Sequence, residues 1–365
     1  MQPAAPLSEK DHFGFIDGLR GMAVLWVLLN HSAYFFELRN PWLEPFWGHG
    51  FFGVNFFFVV SGFLITGLMM DFLRGGLDIR RFYLRRCFKI IPHYYFITLA
   101  VFIPLFCSIP FTTWPDVWRG LVPYLFFLQN YFPGASWLDH TWSLVTEEQF
   151  YIFWSVFLFG LSIYLRDENG RWRAAMLGAV VLVVLITINR FFLYANGASL
   201  TGIFPMQTHP THGTSVIADG LMAGCALRLL WARYPAYFMD KKRGLAFYLL
   251  GGIAFLTLLL SPLAGSGVPK LWHTLTFAWI APVCFIAAGL GGTVWLWQAR
   301  WLREVGRNSY GIYLVHYPLL LWMADGGRIG YLPFLFYIPL AVFLGFFTTA
   351  TVEKYFLDIR KKVSP

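Results

Sequence analysis

Three ionisable residues stand in the first long apolar run of the sequence: Asp17, Arg20 and His31. On an α-helix the eleven residues from Arg20 to His31 turn through about 1,100°, which leaves the two side chains about 20° apart in azimuth and about 16 Å apart along the axis. Asp17 lies three residues before Arg20, so it can pair with Arg20 on the same face. An ionisable group in an apolar segment is costly to bury and is usually functional.

The imidazole of His31 is the side chain best suited to proton transfer near neutral pH, which makes His31 a candidate general base. The structural alternative is a hydrogen-bonded histidine inside a helix bundle, with Asp17 and Arg20 forming an interfacial ion pair. Residue types and spacing alone leave both interpretations open.

A second polar focus is the basic segment RRFYLRRCFKIIP, which runs from Arg80 to Pro92. Guanidinium groups match phosphate oxygens through two parallel hydrogen bonds, so the segment is a candidate polyphosphate site. The alternative is charge that sets membrane topology or contacts anionic lipid. The candidate ligands, besides Arg80, are Arg81, Arg85, Arg86 and Lys89.

A third focus is HTWSLVTEEQFYIFW, from His140 to Trp154, where two adjacent carboxylates are flanked by aromatic residues. Such a group can bind sugar hydroxyls or assist a base. The alternative is a helix start, because Ser143 precedes Glu147 by four residues and acids in a first turn complement the helix dipole. The candidate residues here are Trp142, Ser143, Glu147 and Glu148.

Other polar residues in apolar surroundings are better explained, one by one, by packing or capping. They are Asn55 and Ser61 in GVNFFFVVSG, whose small residues favour close helix packing, then Asp219, Tyr310 and His316. The four cysteines are far apart in sequence, so neither a disulfide framework nor a metal site is predicted.

The composition shows what must hold these residues in place. Of the 365 residues 58% are hydrophobic and only 13% are charged, whereas soluble domains carry about a quarter charged residues. There is too little polar material to cover a soluble core of this size, so lipid must solvate most of the surface. The sequence therefore predicts an all-α polytopic membrane protein, and it excludes a soluble nucleic-acid-binding domain despite the net charge of +9.

A bilayer-spanning helix needs about twenty apolar residues. Ten runs qualify, near 15–38, 51–73, 90–108, 143–165, 174–194, 214–232, 245–263, 272–294, 308–324 and 332–356. A further run at 119–131 is too short to cross comfortably. We predict a bundle of ten transmembrane helices with this short segment not crossing.

The placement of basic residues supports that count through the positive-inside bias. With a cytoplasmic N-terminus, the basic clusters near 74–89, 166–173, 228–243, 300–307 and 354–362 all fall on the inner side. The outer side then keeps Arg39, Arg119, Arg190, Lys270 and Arg328. If 119–131 crossed, every later cluster would face outward. We predict a cytoplasmic segment 1–14, a membrane domain 15–358 and a cytoplasmic tail 359–365, with an uncleaved first span.

Five ordered segments resemble the acyltransferase-3 family of membrane O-acyltransferases over about residues 13–356. The most specific is FIDGLRGMAVLWVLLNH, which carries the family's arginine, ten residues, histidine motif as Arg20 and His31. The others are FFGVNFFFVVSGFLIT, RRFYLRRCFKIIPHYY, TWSLVTEEQFYIFW and NSYGIYLVHYPLLL.

The sequence departs from the family pattern at three points. Lys89 stands where arginine is common, and lysine keeps the charge but lacks the planar guanidinium that donates two parallel hydrogen bonds. Ile217 stands where the family commonly has an arginine two residues before Asp219, so that arginine's role is absent or filled elsewhere. Many relatives carry an esterase-like extracytoplasmic domain after the last span, and this chain is expected to be a stand-alone form.

The resemblance implies transfer of an acyl group, expected to be acetyl, from a cytoplasmic acyl-CoA to a hydroxyl of an extracytoplasmic carbohydrate or glycolipid, without a metal. It implies His31 as general base, with Arg20, Glu147 and Glu148 as further catalytic residues. The expected donor site comprises Asp17, Arg20, Arg81, Arg85, Arg86 and Lys89, and the expected acceptor site Trp142, Ser143 and Glu147.

Three mechanistic questions stay open on the sequence. The oxyanion donor is not identified, although Asn30, Asn55 and Tyr310 are candidates. Transfer can be direct or can pass through an acyl-enzyme. The alternative function is a transporter or flippase whose buried ions line a path, although related halves and broken helices typical of transporters are not evident. The family implies a bacterial inner membrane and cannot specify the acceptor.

Overall fold

The structure is a computed structural model, and it describes residues 13–35, 42–70, 74, 79–108, 110, 113–132, 136–195, 214–261, 275–324 and 331–363. Every regular element in these ranges is helical. The first half contains α1 (Gly14–Phe35), α2 (Gly53–Leu68), α3 (Ile79–Ser108), α4 (Trp114–Leu125), α5 (Trp142–Tyr164) and α6 (Glu168–Ala195). The second half contains α7 (Asp219–Arg233), α8 (Lys241–Leu260), α9 (Ile280–Leu290), α10 (Arg300–Arg307), α11 (Ser309–Ala324), α12 (Tyr331–Thr348) and α13 (Lys354–Val363).

The helices confirm the all-α membrane class. Among the described residues, five helices are long and apolar enough to cross a bilayer: Gly50–Leu68, Phe82–Ser108, Glu168–Phe192, Lys241–Leu260 and Leu335–Lys362. Each of the other predicted spans also coincides with a helix, but those helices are shorter or more polar. The count of ten crossings therefore stays a prediction.

The burial of the apolar helices separates the centre of the bundle from its periphery. In α2, 67% of the apolar window is buried, against 17% in α6 and in α8. Large apolar side chains on α6 are exposed, among them Leu177, Val184 and Leu185. Such a surface is stable against lipid tails and would aggregate in water, so α6 and α8 lie at the lipid-facing periphery.

Helices α2 and α7 pack closely because glycine stands at their crossing. A Cβ atom at Gly62 would overlap the Leu221 carbonyl oxygen, and one at Gly224 would overlap the Val59 carbonyl oxygen. No larger residue fits at that separation. The close packing predicted for the GVNFFFVVSG segment is confirmed, and it places α2 at the centre of the fold.

Helix α1 lies against α2, α10 and α11. Its Asp17 carboxylate accepts a hydrogen bond from Nε of Arg307 at 3.1 Å. Arg307 lies 290 residues away in sequence, so the local spacing that suggested a pair with Arg20 does not reveal this contact. The ion pair joins the N-terminal end of α1 to α10, directly before α11 begins.

The first part of the segment 119–131, predicted not to cross, lies in α4, which has 12 residues. At 1.5 Å per residue it is about 18 Å long, too short for the hydrocarbon core. The hydroxyl of Tyr94 donates to the Tyr124 carbonyl at 3.2 Å, and that of Tyr95 donates to the Leu125 carbonyl at 2.6 Å. These bonds satisfy carbonyl groups at the end of α4 and tie it to α3.

An ion pair buried between α6 and α7 supplies the cation that is missing before Asp219. Nη2 of Arg190 lies 2.7 Å from Oδ2 of Asp219, and both side chains are fully buried. The same guanidinium donates to the Val216 carbonyl at 2.6 and 2.9 Å. Arg190, which the sequence assigns only to the outer side, therefore holds the break between the helical turn Thr214–Ile217 and α7.

Candidate active site

Three histidines meet inside the bundle, and we call them the histidine cluster. α1 contributes His31, the turn Ser136–Thr141 contributes His140, and α11 contributes His316. Nδ1 of His31 lies 3.0 Å from Nε2 of His316, and the two rings are nearly parallel, at 8° and 5.2 Å between centroids. The ring of His140 lies edge-on to His316 at 4.8 Å.

Hydrogen bonds from α11 fix the wall of this cluster. Nδ1 of His316 donates to the Tyr313 carbonyl at 2.6 Å. The Tyr313 hydroxyl donates to the His140 carbonyl at 2.8 Å and lies 2.8 Å from the Ser143 hydroxyl. The chain 140–143 is thereby held against α11, and Ser143 is a hydrogen-bonded wall residue beside the histidines.

The two predicted carboxylates lie one helical turn further along α5, in contact with the basic segment of α3. Glu148 pairs with Arg86 at 3.2 Å, and the Arg86 guanidinium stacks 3.4 Å above the ring of Tyr151. The Tyr151 hydroxyl donates to Glu147 at 3.0 Å. We call these four residues the arginine–glutamate cluster.

Arg20 and Lys89 lie beside the arginine–glutamate cluster. Lys89 is within electrostatic range of Arg20, Arg86 and Asp17, and Arg20 is within range of Glu147. The expected donor and acceptor sites therefore lie next to each other. The Arg20 end of α1 lies at the same depth as the arginine–glutamate cluster.

The remaining predicted residues have simpler surroundings. Arg85 is half-buried on α3, whereas the side chain of Arg81 lies outside the described residues. Trp142 is half-buried and its ring meets Phe58 edge-on at 6.3 Å. These positions are compatible with the predicted roles, which remain predictions.

The two clusters lie at different depths. Arg20 and His31 stand eleven residues apart on the same helix, which corresponds to about 16 Å along the axis. Ser143 and Glu147 stand four residues apart on α5, about 6 Å. The interior therefore presents cations and carboxylates at one level and imidazoles at the next.

Sequence reasoning missed two histidines that the fold brings into this interior. His140 is 4% exposed, and neither of its ring nitrogens makes a hydrogen bond of normal geometry among the described residues. His93 is fully buried on α3, with Nδ1 3.9 Å from a Glu353 carboxylate oxygen. The signal for His140 was its place at the head of the TWSLVTEE segment, and His93 stands one helical turn after Lys89.

Glu353 reaches His93 from a π-helical turn, Thr349–Glu353, which interrupts the last long helix between α12 and α13. Such turns insert one residue into the helix and are frequent at functional sites. No periodicity in the sequence indicates the turn.

The arrangement of arginine, histidine and glutamate suits group transfer between a phosphate-bearing donor and a hydroxyl. Comparison with known proteins gives the family: residues 13–352 match the family model described as an acyltransferase domain. The chain belongs to the acyltransferase-3 family. The predicted resemblance is thus confirmed, and with the five apolar helices it establishes an integral membrane protein.

Three curated relatives of the acyltransferase-3 chain are named as O-acetyltransferases. "Putative peptidoglycan O-acetyltransferase YrhL" of Bacillus subtilis is 30% identical over 342 residues, covering 86% of this chain and 50% of the relative. "Peptidoglycan O-acetyltransferase OatA" of Listeria monocytogenes is 28% identical, covering 84% and 49%. "O-acetyltransferase OatA" of Staphylococcus aureus is 23% identical, covering 88% and 53%.

The chain spans about half the length of the curated relatives it matches. The names of those relatives therefore describe larger proteins. No solved structure matches the chain.

Proposed function

We propose that this acyltransferase-3 chain is a membrane O-acyltransferase that transfers an acetyl group from cytoplasmic acetyl-CoA to a hydroxyl of an extracytoplasmic carbohydrate. The observation that carries the proposal is the histidine cluster, in which His31 lies about three helical turns beyond Arg20 and its neighbouring cations in one interior. The names of the relatives support a cell-wall glycan as the class of acceptor.

The reaction places His31 next to the acceptor hydroxyl. His31 takes the hydroxyl proton as that oxygen attacks the thioester carbonyl carbon, which forms a C–O bond. The C–S bond then breaks, and the CoA thiolate leaves and takes up a proton. General base catalysis of this kind contributes about 10²–10⁴-fold.

The donor is proposed to bind by its phosphates at the basic segment of α3. Arg85, Arg86 and Lys89 lie on the same helix within five residues, and guanidinium groups suit phosphate oxygens. Arg86 is already paired with Glu148. An incoming phosphate would therefore compete with this carboxylate for the guanidinium.

The tetrahedral intermediate needs a hydrogen-bond donor for its oxyanion. Two candidates from the sequence are already engaged, because Asn30 donates to the Trp47 and Gly48 carbonyls and Tyr310 donates to the Ile90 carbonyl. The third candidate, Asn55, is not engaged in this way, because its Nδ2 is buried without a hydrogen-bond partner among the described residues. We propose the His140 ring, which adjoins His316 in the cluster, as the group that contacts the oxyanion or the acceptor.

The test is acyl transfer in vesicles whose cytoplasmic face points outward, with radiolabelled acetyl-CoA outside and glycan acceptors inside. His31→Ala is expected to abolish labelled glycan, and Arg85→Ala with Arg86→Ala is expected to raise the KM for acetyl-CoA about tenfold or more. Arg119→Ala is the control, because Arg119 is exposed on α4 and pairs with Asp116 three residues before it.

Activity that survives the loss of His31 would contradict the proposed base. Failure of the native chain to label any acceptor, combined with movement of an unmodified glycan or lipid across the vesicle membrane, would favour the transporter or flippase alternative.

A further inference from the structure

The hydrogen bonds inside the histidine cluster determine which nitrogen of His31 is available for chemistry. We propose that His316 is a positioning residue that holds His31 as the tautomer with its proton on Nδ1, leaving Nε2 as the basic nitrogen. This inference rests on the proposed function for its catalytic meaning, but the tautomer itself can be tested without any activity.

His316 is hydrogen-bonded to the backbone of its own helix. Nδ1 of His316 lies 2.6 Å from the carbonyl oxygen of Tyr313. A carbonyl oxygen can only accept, so Nδ1 of His316 must carry the proton. In a neutral imidazole the other nitrogen is then an acceptor, and Nε2 of His316 presents a lone pair.

The hydrogen bond between the two rings then determines which nitrogen of His31 carries a proton. Nε2 of His316 and Nδ1 of His31 are 3.0 Å apart, so one of them must donate to the other. Because Nε2 of His316 is the acceptor, Nδ1 of His31 is the donor. The remaining nitrogen of His31, Nε2, is left without a proton and is the only nitrogen that can receive one from an acceptor hydroxyl.

The surroundings keep His316 neutral and its ring fixed. The side chain is fully buried, and the rings nearest to it belong to His31, His140 and Tyr313. A second proton on His316 would place an unpaired charge in this apolar interior, which is costly. The proton would also turn its Nε2 into a donor, and the order of donors described above would be lost.

Helix α11 holds the ring through its backbone. The Tyr337 hydroxyl donates to the His316 carbonyl at 3.3 Å, which connects α12 to this turn. Pro318, two residues on, lies inside α11 and removes one backbone N–H from the helix. The imidazole therefore lies on a turn of α11 whose backbone is hydrogen-bonded to α12. The packing of α11 sets the position of the imidazole relative to α1.

The direct test is nitrogen NMR of the full chain in lipid bilayers, with ¹⁵N-labelled histidine. His31→Gln assigns the signals of His31 by their loss. We expect Nδ1 of His31 to be protonated and Nε2 to be unprotonated in the native chain and in His316→Gln, because the glutamine oxygen can still accept. In His316→Phe, which cannot accept, we expect the two tautomers of His31 to mix.

The kinetic test uses the same variants and measures kcat and KM separately. His316→Phe is expected to lower kcat about tenfold or more while the KM for acetyl-CoA stays within about twofold, and His316→Gln is expected to recover most of that loss. A purely structural role would make the glutamine variant at least as poor as phenylalanine, which better preserves the ring volume.

The matched control is His49→Gln. His49 is also buried, but its nitrogens contact the Pro45 and Ser261 carbonyls and, among the described residues, not another histidine. This variant is expected to change thermal stability without changing the His31 signals or kcat.

Three outcomes would be decisive. A protonated Nε2 on His31 in the native chain overturns the proposal whatever the activity. Equal kcat for native, His316→Gln and His316→Phe chains that fold equally well overturns the positioning role. An unprotonated Nε2 in a chain that transfers no acyl group supports the tautomer and shows that the proposed function has failed.

Discussion

At the scale of single residues, the interior of this chain is organised by hydrogen bonds that fix orientation. The Tyr313 hydroxyl contacts both His140 and Ser143, and the Tyr151 hydroxyl contacts Glu147. Buried polar networks of this kind are stable only when their members are satisfied. The groups without a hydrogen bond of normal geometry, such as the His140 nitrogens, are therefore the best candidates for substrate contacts.

The arginine–glutamate cluster yields a prediction about Arg86. Arg86→Lys keeps the charge but loses the planar fork and the stacking on Tyr151, which lies 3.4 Å from the guanidinium carbon. We expect the KM for acetyl-CoA to rise about five- to tenfold with kcat changed less than about threefold, measured in the vesicle assay. Arg119→Lys serves as control. An unchanged KM would remove Arg86 from the donor site.

At the scale of helices, long-range ion pairs fix the elements that carry the site. Asp17 joins α1 to Arg307 on α10, and Arg190 joins α6 to Asp219 at the start of α7. Each pair links residues too distant in the chain for a spacing rule to detect. Arg190 brings a cation to Asp219 from another helix, whereas Ile217 stands two residues before Asp219 in the sequence.

Replacing one partner of the Arg190–Asp219 pair should destabilise the bundle more than replacing both. Asp219→Leu leaves a buried guanidinium without its carboxylate, at a cost of about 3–5 kcal/mol in the free energy of unfolding. The double variant Arg190→Met with Asp219→Leu is expected to recover part of that loss, although the Val216 carbonyl also loses its partner. Thermal unfolding in detergent compares the three chains, and a double variant no better than the single one would contradict this coupling.

At the scale of the whole molecule, lipid is the solvent that makes this composition foldable. The peripheral helices α6 and α8 bury only 17% of their apolar windows, while α2 packs against α1 and α7. This arrangement places the histidine cluster in the protein interior, where water competes less for its hydrogen bonds. The side of the bilayer on which the basic loops lie then decides whether the arginine–glutamate cluster or the histidine cluster is nearer the cytoplasm.

The topology can be measured by labelling single cysteines in a chain whose exposed Cys87 and Cys107 are replaced by serine. We expect a membrane-impermeant thiol reagent to label Asp116→Cys from outside intact cells and Asp240→Cys only after the cells are opened. Both positions are exposed, so access depends on the side of the membrane. Labelling of both Asp116→Cys and Asp240→Cys from outside would show that the 119–131 segment crosses.

Much of this protein was predictable from local pattern. Low charge and long apolar runs determine a membrane-embedded helical chain, because only helices satisfy their own backbone in lipid without a closed sheet. Five ordered segments carried the resemblance to the family, and the most specific of them holds Arg20 and His31, which helical spacing places on one face. The number of crossings and the roles of the site residues remain predictions.

Only the tertiary structure decided which residues meet. His316 and His31 are 285 positions apart, Arg86 and Glu148 are 62 apart, and no periodicity links either pair. The sequence favoured packing for His316 because a single histidine on an apolar helix is most simply a core residue. Its proposed role emerges only when α1 brings Nδ1 of His31 within hydrogen-bonding distance, since hydrogen bonds depend on position in space and residue periodicity reports only the local helix.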